Sequence, residues 1–183
     1  MLKNAIVTSN IAKNNHGGGI YVRSGGGEVE FSNLIVSQNK SNSAGGIYVY
    51  NTDLVLISST IYENPTFSNS PGTNSAITLD NTSDLHLWNT IVGGQNLVAS
   101  STGWIINTDG YSSHTIEFEN SQVEGGLAKV KTTSSSGTVT LIPTTGPQIS
   151  QTAYLMNPQN GDFRPSPASQ AIGAGSMLSL IHI

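Results

Sequence analysis

Leu2-Lys3-Asn4-Ala5-Ile6 returns as Phe31-Ser32-Asn33-Leu34-Ile35, Ile57-Ser58-Ser59-Thr60-Ile61, Leu87-Trp88-Asn89-Thr90-Ile91 and, more weakly, Phe118-Glu119-Asn120-Ser121-Gln122. The third positions, 4, 33, 59, 89 and 120, lie 29, 26, 30 and 31 residues apart. A phrase recurring at that interval marks a stacked array, in which no unit buries its apolar face without its neighbours.

Working outward, Gly19-Ile20-Tyr21-Val22 aligns with Gly46-Ile47-Tyr48-Val49 and Ala76-Ile77-Thr78-Leu79. A third alternating run follows in Val29-Glu30-Phe31, Leu54-Val55-Leu56 and Leu85-His86-Leu87. Apolar residues alternate with outward ones throughout, which is the period of a strand. Between the runs stand Gly25-Gly26-Gly27, Asn51-Thr52-Asp53 and Asn81-Thr82-Ser83-Asp84, the residue types that turns require. No window carries apolar residues at helical spacing over three turns.

The pattern predicts an all-β fold, a single-stranded right-handed parallel β-helix of four to five coils over residues 1–142. An irregular capping segment is expected over 143–176. Residues 177–183 break the composition of everything before them and read as a non-native tail. Asn4, Asn33, Asn89 and Asn120 should form a ladder at one bend. Gly18-Gly19 and Gly45-Gly46 should sit where φ is positive or where coils approach closely. The stretch 65–75 reads as a loop projecting from the third coil.

Only 10% of the 183 residues are charged, the formal net charge is −4, and there is no cysteine. A weakly acidic surface without a Lys/Arg cluster offers no footprint for nucleic acid, and no apolar run is long enough to span a membrane. The first residues already belong to a repeat, so further coils and a secretion signal are expected upstream.

The chain resembles bacterial right-handed parallel β-helix repeat proteins. It is similar to the polymorphic outer-membrane-protein repeats and to surface proteins with a choice-of-anchor C-terminal region. The likeness rests on residues 39–49 with their Gly45-Gly46-Ile47 core, on Asn89-Thr90-Ile91-Val92-Gly93-Gly94, and on Gly161-Asp162-Phe163-Arg164 followed by residues 166–175. In the closing segment Ser169-Gln170-Ala171-Ile172-Gly173-Ala174-Gly175 keeps the family's frame but lacks its Pro and Asp, so no carboxylate role carries over to Gln170 or Gly173. The resemblance implies secretion or surface display.

Parallel β-helices also carry polysaccharide lyases and polygalacturonases, and Asn107-Thr108-Asp109-Gly110 is similar to the Asn-Thr-Asp motif of the latter. The Asp-Asp pair, Gly-His-Gly and Arg-x-Lys that accompany the motif in that family do not follow here, and a tight turn explains the tetrapeptide. Glu28, Asp53 and Asp84 fall in the same turn of successive coils. They form a candidate Ca²⁺ column or, equally, solvated turn residues. Tyr21 and Tyr48, with Tyr50 two residues on, form an outward aromatic strip that suits either a glycan platform or cross-strand stabilisation. The scattered histidines offer no zinc spacing.

The leading expectation is a structural, adhesin-like or glycan-contacting surface module with no catalytic residues, whose partners are polysaccharides or cell-surface glycans. The alternative is a carbohydrate-active β-helix enzyme, a lyase or a polygalacturonase-like hydrolase.

Overall fold

A computed structural model describes residues 1–67, 75–94, 103–109, 111–132, 136–145 and 155–169. The fold is all-β, a parallel β-solenoid of about four turns with no barrel. The expected tail at 177–183, the tip of the loop at 68–74, and Gln170 with Gly173 lie outside the described residues.

Each turn contributes strands to three faces. The strand Glu28–Ser37 bends at Asn33 and serves two of them, its first part pairing with Asp53–Ile57 and its second with Thr60–Tyr62. Leu2–Thr8 runs parallel along it. The first face then continues through Leu85–Trp88, His114–Glu119 and Val139–Thr145. The second face continues through Ile91–Gly93 and Gln122–Val123. The third face stacks Ile20–Arg23, Ala44–Tyr50, Ser75–Asp80 and Ile106–Thr108.

In-register pairing turns the sequence alternation into apolar columns. Phe31, Leu56, Leu87 and Phe118 stack on the first face, Val36, Ile61, Val92 and Val123 on the second, and Ile20, Ile47, Ile77 and Ile106 on the third. Nearly all of these side chains are buried in one continuous core. Each fully buried aliphatic side chain contributes about 1.5–3 kcal/mol.

The corners are built from left-handed residues, also in columns. Asn4, Asn33, Ser58, Asn89 and Asn120 have φ of 53°, 55°, 49°, 49° and 47°. Asparagine tolerates this conformation because its short amide bonds locally, and Asn33 Nδ2 donates to Asn4 Oδ1 at 2.7 Å. The third member is Ser58, although the repeat phrase aligns Ser59 there. That turn is shorter, and Ser59 points inward, its Oγ accepting the Leu34 N–H at 3.1 Å and donating to Ile57 O at 2.9 Å. Ser9, Gln38, Glu63, Gly94 and Gly125 form a second left-handed column.

Buried ladders tie the corners together. Asn64 Oδ1 accepts the N–H and Nδ2 of Asn39, at 3.1 and 3.0 Å, and Asn39 Oδ1 accepts the N–H and Nδ2 of Asn10, at 3.0 and 2.9 Å. Asn64 Nδ2 returns to Val36 O and Tyr62 O. Ser59, Thr90 and Ser121 repeat the device with hydroxyls, the Thr90 N–H donating to Ser121 Oγ at 3.0 Å. Ser24, Thr52 and Ser83 do so at the third corner. Gly18 and Gly45 have ordinary φ and answer to close approach instead. A Cβ on Gly45 would lie 1.9 Å from Asn64 O, and one on Gly18 would lie 2.4 Å from Gly45 O.

Leu155–Asn157 and Asp162–Pro165 pair antiparallel around the 3₁₀ turn Pro158–Asn160. This hairpin lies against the flank of the third turn, where Phe163 meets Tyr62 edge-on with ring centroids 6.4 Å apart and Gln159 Nε2 donates to Glu63 Oε1.

Asn64→Ala orphans the buried Asn39 N–H and is expected to cost about 3 kcal/mol. Asn33→Ala, at the exposed corner, should cost only about 1 kcal/mol, mainly from the left-handed backbone. Urea denaturation of the two variants measures the difference.

Candidate functional site

Two outward columns cross the third face. Tyr21, Tyr48, Thr78 and Asn107 lie directly opposite one another, as do Arg23, Tyr50 and Asp80. Asp109 extends the second column, its N–H donating to Leu79 O at 3.0 Å. Strand residues two apart share a side of the sheet, which brings both columns to one surface.

The Tyr21 and Tyr48 rings stack with centroids 5.6 Å apart and planes at 14°. His16 also stacks on Tyr48, at 4.4 Å and 25°. These neighbours leave Tyr48 only 5% exposed, while Tyr21 remains 49% exposed. The strip is thus uneven, with Tyr21 offering the accessible ring and Tyr48 serving as its buried support. Beside it the Arg23 guanidinium lies 5.0 Å from the centre of the Tyr50 ring, within cation–π range.

Tyr48 OH donates to Asp80 Oδ2. Burial, and then the Asp80 carboxylate, push this phenol well above the ordinary tyrosine range, so it serves as a donor. Asp80 Oδ1 and Asp109 Oδ2 share the Asn81 N–H, at 2.8 and 2.9 Å.

Asp109 Oδ1 accepts from the N–H groups of Tyr111 and Ser112, at 3.0 and 3.1 Å, and Ser112 Oγ donates to Oδ2 at 3.0 Å. His114, whose side chain is fully buried, places Nε2 3.0 Å from Asp109 Oδ1 and Nδ1 2.7 Å from Ser83 O. Burial pushes the Asp109 carboxyl up, but the bonds from His114, Tyr111, Ser112 and Asn81 outweigh it and hold the group well below the usual carboxylate range.

In this arrangement the Asn-Thr-Asp stretch ends a strand and enters a turn. Thr108 points into the core, Asn107 lies on the outer column with its Oδ1 buried and unpartnered, and Asp109 caps a turn. A glycosidase acid must keep its proton near neutrality. Asp109 is held ionised, the state of the carboxylate that activates water in inverting hydrolysis rather than of the acid. Gly110 lies outside the described residues.

Glu28 pairs directly with Asp53, and Asp84 follows in the next turn, its carbonyl accepting the Leu54 N–H at 2.9 Å. Asp53 Oδ1 accepts the Asp84 N–H at 3.0 Å, and Asp84 Oδ1 accepts the Thr115 N–H at 2.6 Å. The three residues therefore form one column, in which Asp53 and Asp84 each use an oxygen to bind the next turn's backbone. Among the described residues, no group of three or more His, Asp or Glu side chains is placed to hold a metal ion.

Sequence reasoning missed His16, Arg23 and Asp80 as neighbours of the tyrosines. For Arg23 and Asp80 the signal was present, since each follows its aligned strand phrase at the position of Tyr50. For His16 there was none, because it reaches Tyr48 from an irregular segment. Comparison of the chain with known protein families, with curated proteins and with solved structures finds no match. The solenoid is established by its own geometry, and the finer family resemblance has no match behind it.

Asp109→Ala removes the acceptor of the Tyr111 and Ser112 N–H groups and the polar partner of buried His114, and should cost roughly 3 kcal/mol at neutral pH. Because the folded carboxyl lies below the ordinary value of 3.8, its contribution is complete above that value and drains away as pH falls further. Acid titration of thermal unfolding should show a loss below pH 3.8 in the parent that is smaller in Asp109→Asn.

Proposed function

We propose that this chain is a non-catalytic, glycan-contacting module of a secreted or cell-surface protein, with the third face as its contact surface. The observation that carries this reading is the half-exposed Tyr21 ring held flat by stacking on Tyr48, with the Arg23–Tyr50 pair beside it. A pre-positioned aromatic ring offers an apolar face to the C–H side of a pyranose at little entropic cost. The guanidinium next to it supplies hydrogen-bond donors for hydroxyls or carboxylates. The secreted or surface setting draws support from the resemblance to bacterial β-helix repeat proteins.

Affinity electrophoresis through gels containing neutral or acidic polysaccharides tests the reading. At least one polysaccharide should retard the protein, and Tyr21→Ala should weaken that retention by roughly three- to tenfold. Tyr48→Phe should leave it unchanged, because the Tyr48 hydroxyl is engaged with Asp80. Retention that is indifferent to Tyr21→Ala would sink the proposal. So would release of unsaturated or reducing ends during incubation, which would establish the carbohydrate-active enzyme instead.

A further inference from the structure

A groove of about 400 Å³ runs beside the second left-handed corner, and Tyr21, Tyr48 and Tyr50 are not among its lining residues. Its lining includes Ile11, Gln38, Lys40, Glu63, Pro65 and Gln159, which come from three successive turns and the C-terminal hairpin. Glu63 organises the polar part, because its carboxylate accepts from the Gln159 side chain and shares the lining with Gln38. With one N–H of Gln159 spent on Glu63, its amide still carries an oxygen acceptor and a second N–H, and Gln38 brings another amide to the lining. Lys40 Nζ lies 4.9 Å from the centre of the Phe67 ring, and among the described residues it has no carboxylate partner. Exposed Ile11 and half-buried Pro65 add apolar surface.

The charge balance selects the ligand class. Glu63 and Glu124 interact electrostatically, and Glu124 binds the N–H of Gly94, which also lines the groove. The lining itself carries one carboxylate, Glu63, and one ammonium, Lys40, and so no net charge to attract an anion. Convergent amide, carboxylate and ammonium groups beside apolar patches instead match a ligand that is uncharged and rich in hydroxyls. The volume stands near the lower end for small-molecule sites, which suits one or two sugar rings.

We infer that this groove binds a neutral saccharide unit, with Glu63, Gln38 and Gln159 accepting its hydroxyl hydrogens and Lys40 donating to its oxygens. The site is independent of the tyrosine face.

Saturation-transfer NMR and titration of the full chain with maltose, cellobiose and lactose, beside digalacturonate, test the inference. At least one neutral disaccharide should bind, and digalacturonate should bind at least about tenfold more weakly. Glu63→Ala and Gln38→Ala should each weaken the neutral ligand, the former by about tenfold through loss of a charge-assisted bond. Tyr21→Ala should leave this binding unchanged. If Glu63→Ala proves unfolded by circular dichroism, Gln38→Ala, at an exposed position, decides alone. The inference fails if no neutral disaccharide binds at millimolar concentration, if digalacturonate binds as well, or if binding survives the groove variants. It also fails if binding is lost in Tyr21→Ala, which would assign the ligand to the other face.

Discussion

Every corner of a solenoid turns backbone N–H groups away from the sheet ladders, and each must find an acceptor on a neighbouring turn. This chain meets that demand with side chains that accept from one turn while donating within another. Asn39 and Asn64 do it with amides, Ser59, Thr90 and Ser121 with hydroxyls, and Ser83 does the same at the third corner. The abundance of Ser, Thr and Asn and the scarcity of charge follow from this requirement. A slip of one residue would break all three ladders and expel every apolar column from the core, so the ladders and the core enforce the same register.

The third face owes its site to that register. Tyr21 can stack on Tyr48, and Arg23 on Tyr50, only because the turns match residue for residue. The Asp109–His114 pair belongs to the same system. His114 stands one turn beyond Ser83 in the third-corner ladder, as the bond from the Thr115 N–H to Asp84 implies for its neighbour. The imidazole is larger than the hydroxyl it succeeds. It reaches both back to Ser83 O and sideways to Asp109. A buried polar pair at this point continues corner bonding by other chemistry.

Much of this was legible in the sequence because the repeat is written in apolar alternation, and alternation maps directly onto strand faces. The apolar columns, the three strands per turn and the bend at Asn33 all follow from it. The substitution of Ser58 for Ser59 in the left-handed column was not legible, because a shortened turn shifts the alignment of its corner by one while both serines look alike. The buried Asn10–Asn39–Asn64 ladder was overlooked in favour of the exposed one, since asparagine suits left-handed bends and buried ladders alike, and burial is a property of the stack. The glycines were open between two readings. Gly45 is decided by the backbone of Asn64 passing where its Cβ would be. The burial of Tyr48 depends on His16, which no periodicity connects to it.

Core and corner duties consume the inward and turn positions, and this restricts where function can reside. A carboxylate recruited to a ladder has its oxygens committed to backbone N–H groups, as Asp109 shows most fully, and bonds of that kind stabilise the ionised form. Acid–base chemistry would have to draw on residues free of ladder bonds. The accessible groups with such freedom are the outward strand residues and the side chains of the second left-handed column, where glutamine and glutamate stand in place of asparagine. The longer Glu63 side chain extends past the corner and meets the C-terminal hairpin at Gln159. The two surfaces therefore differ in character for a structural reason. One is a flat array of rings supported from beneath, and the other is a groove whose polar groups reach in from a corner.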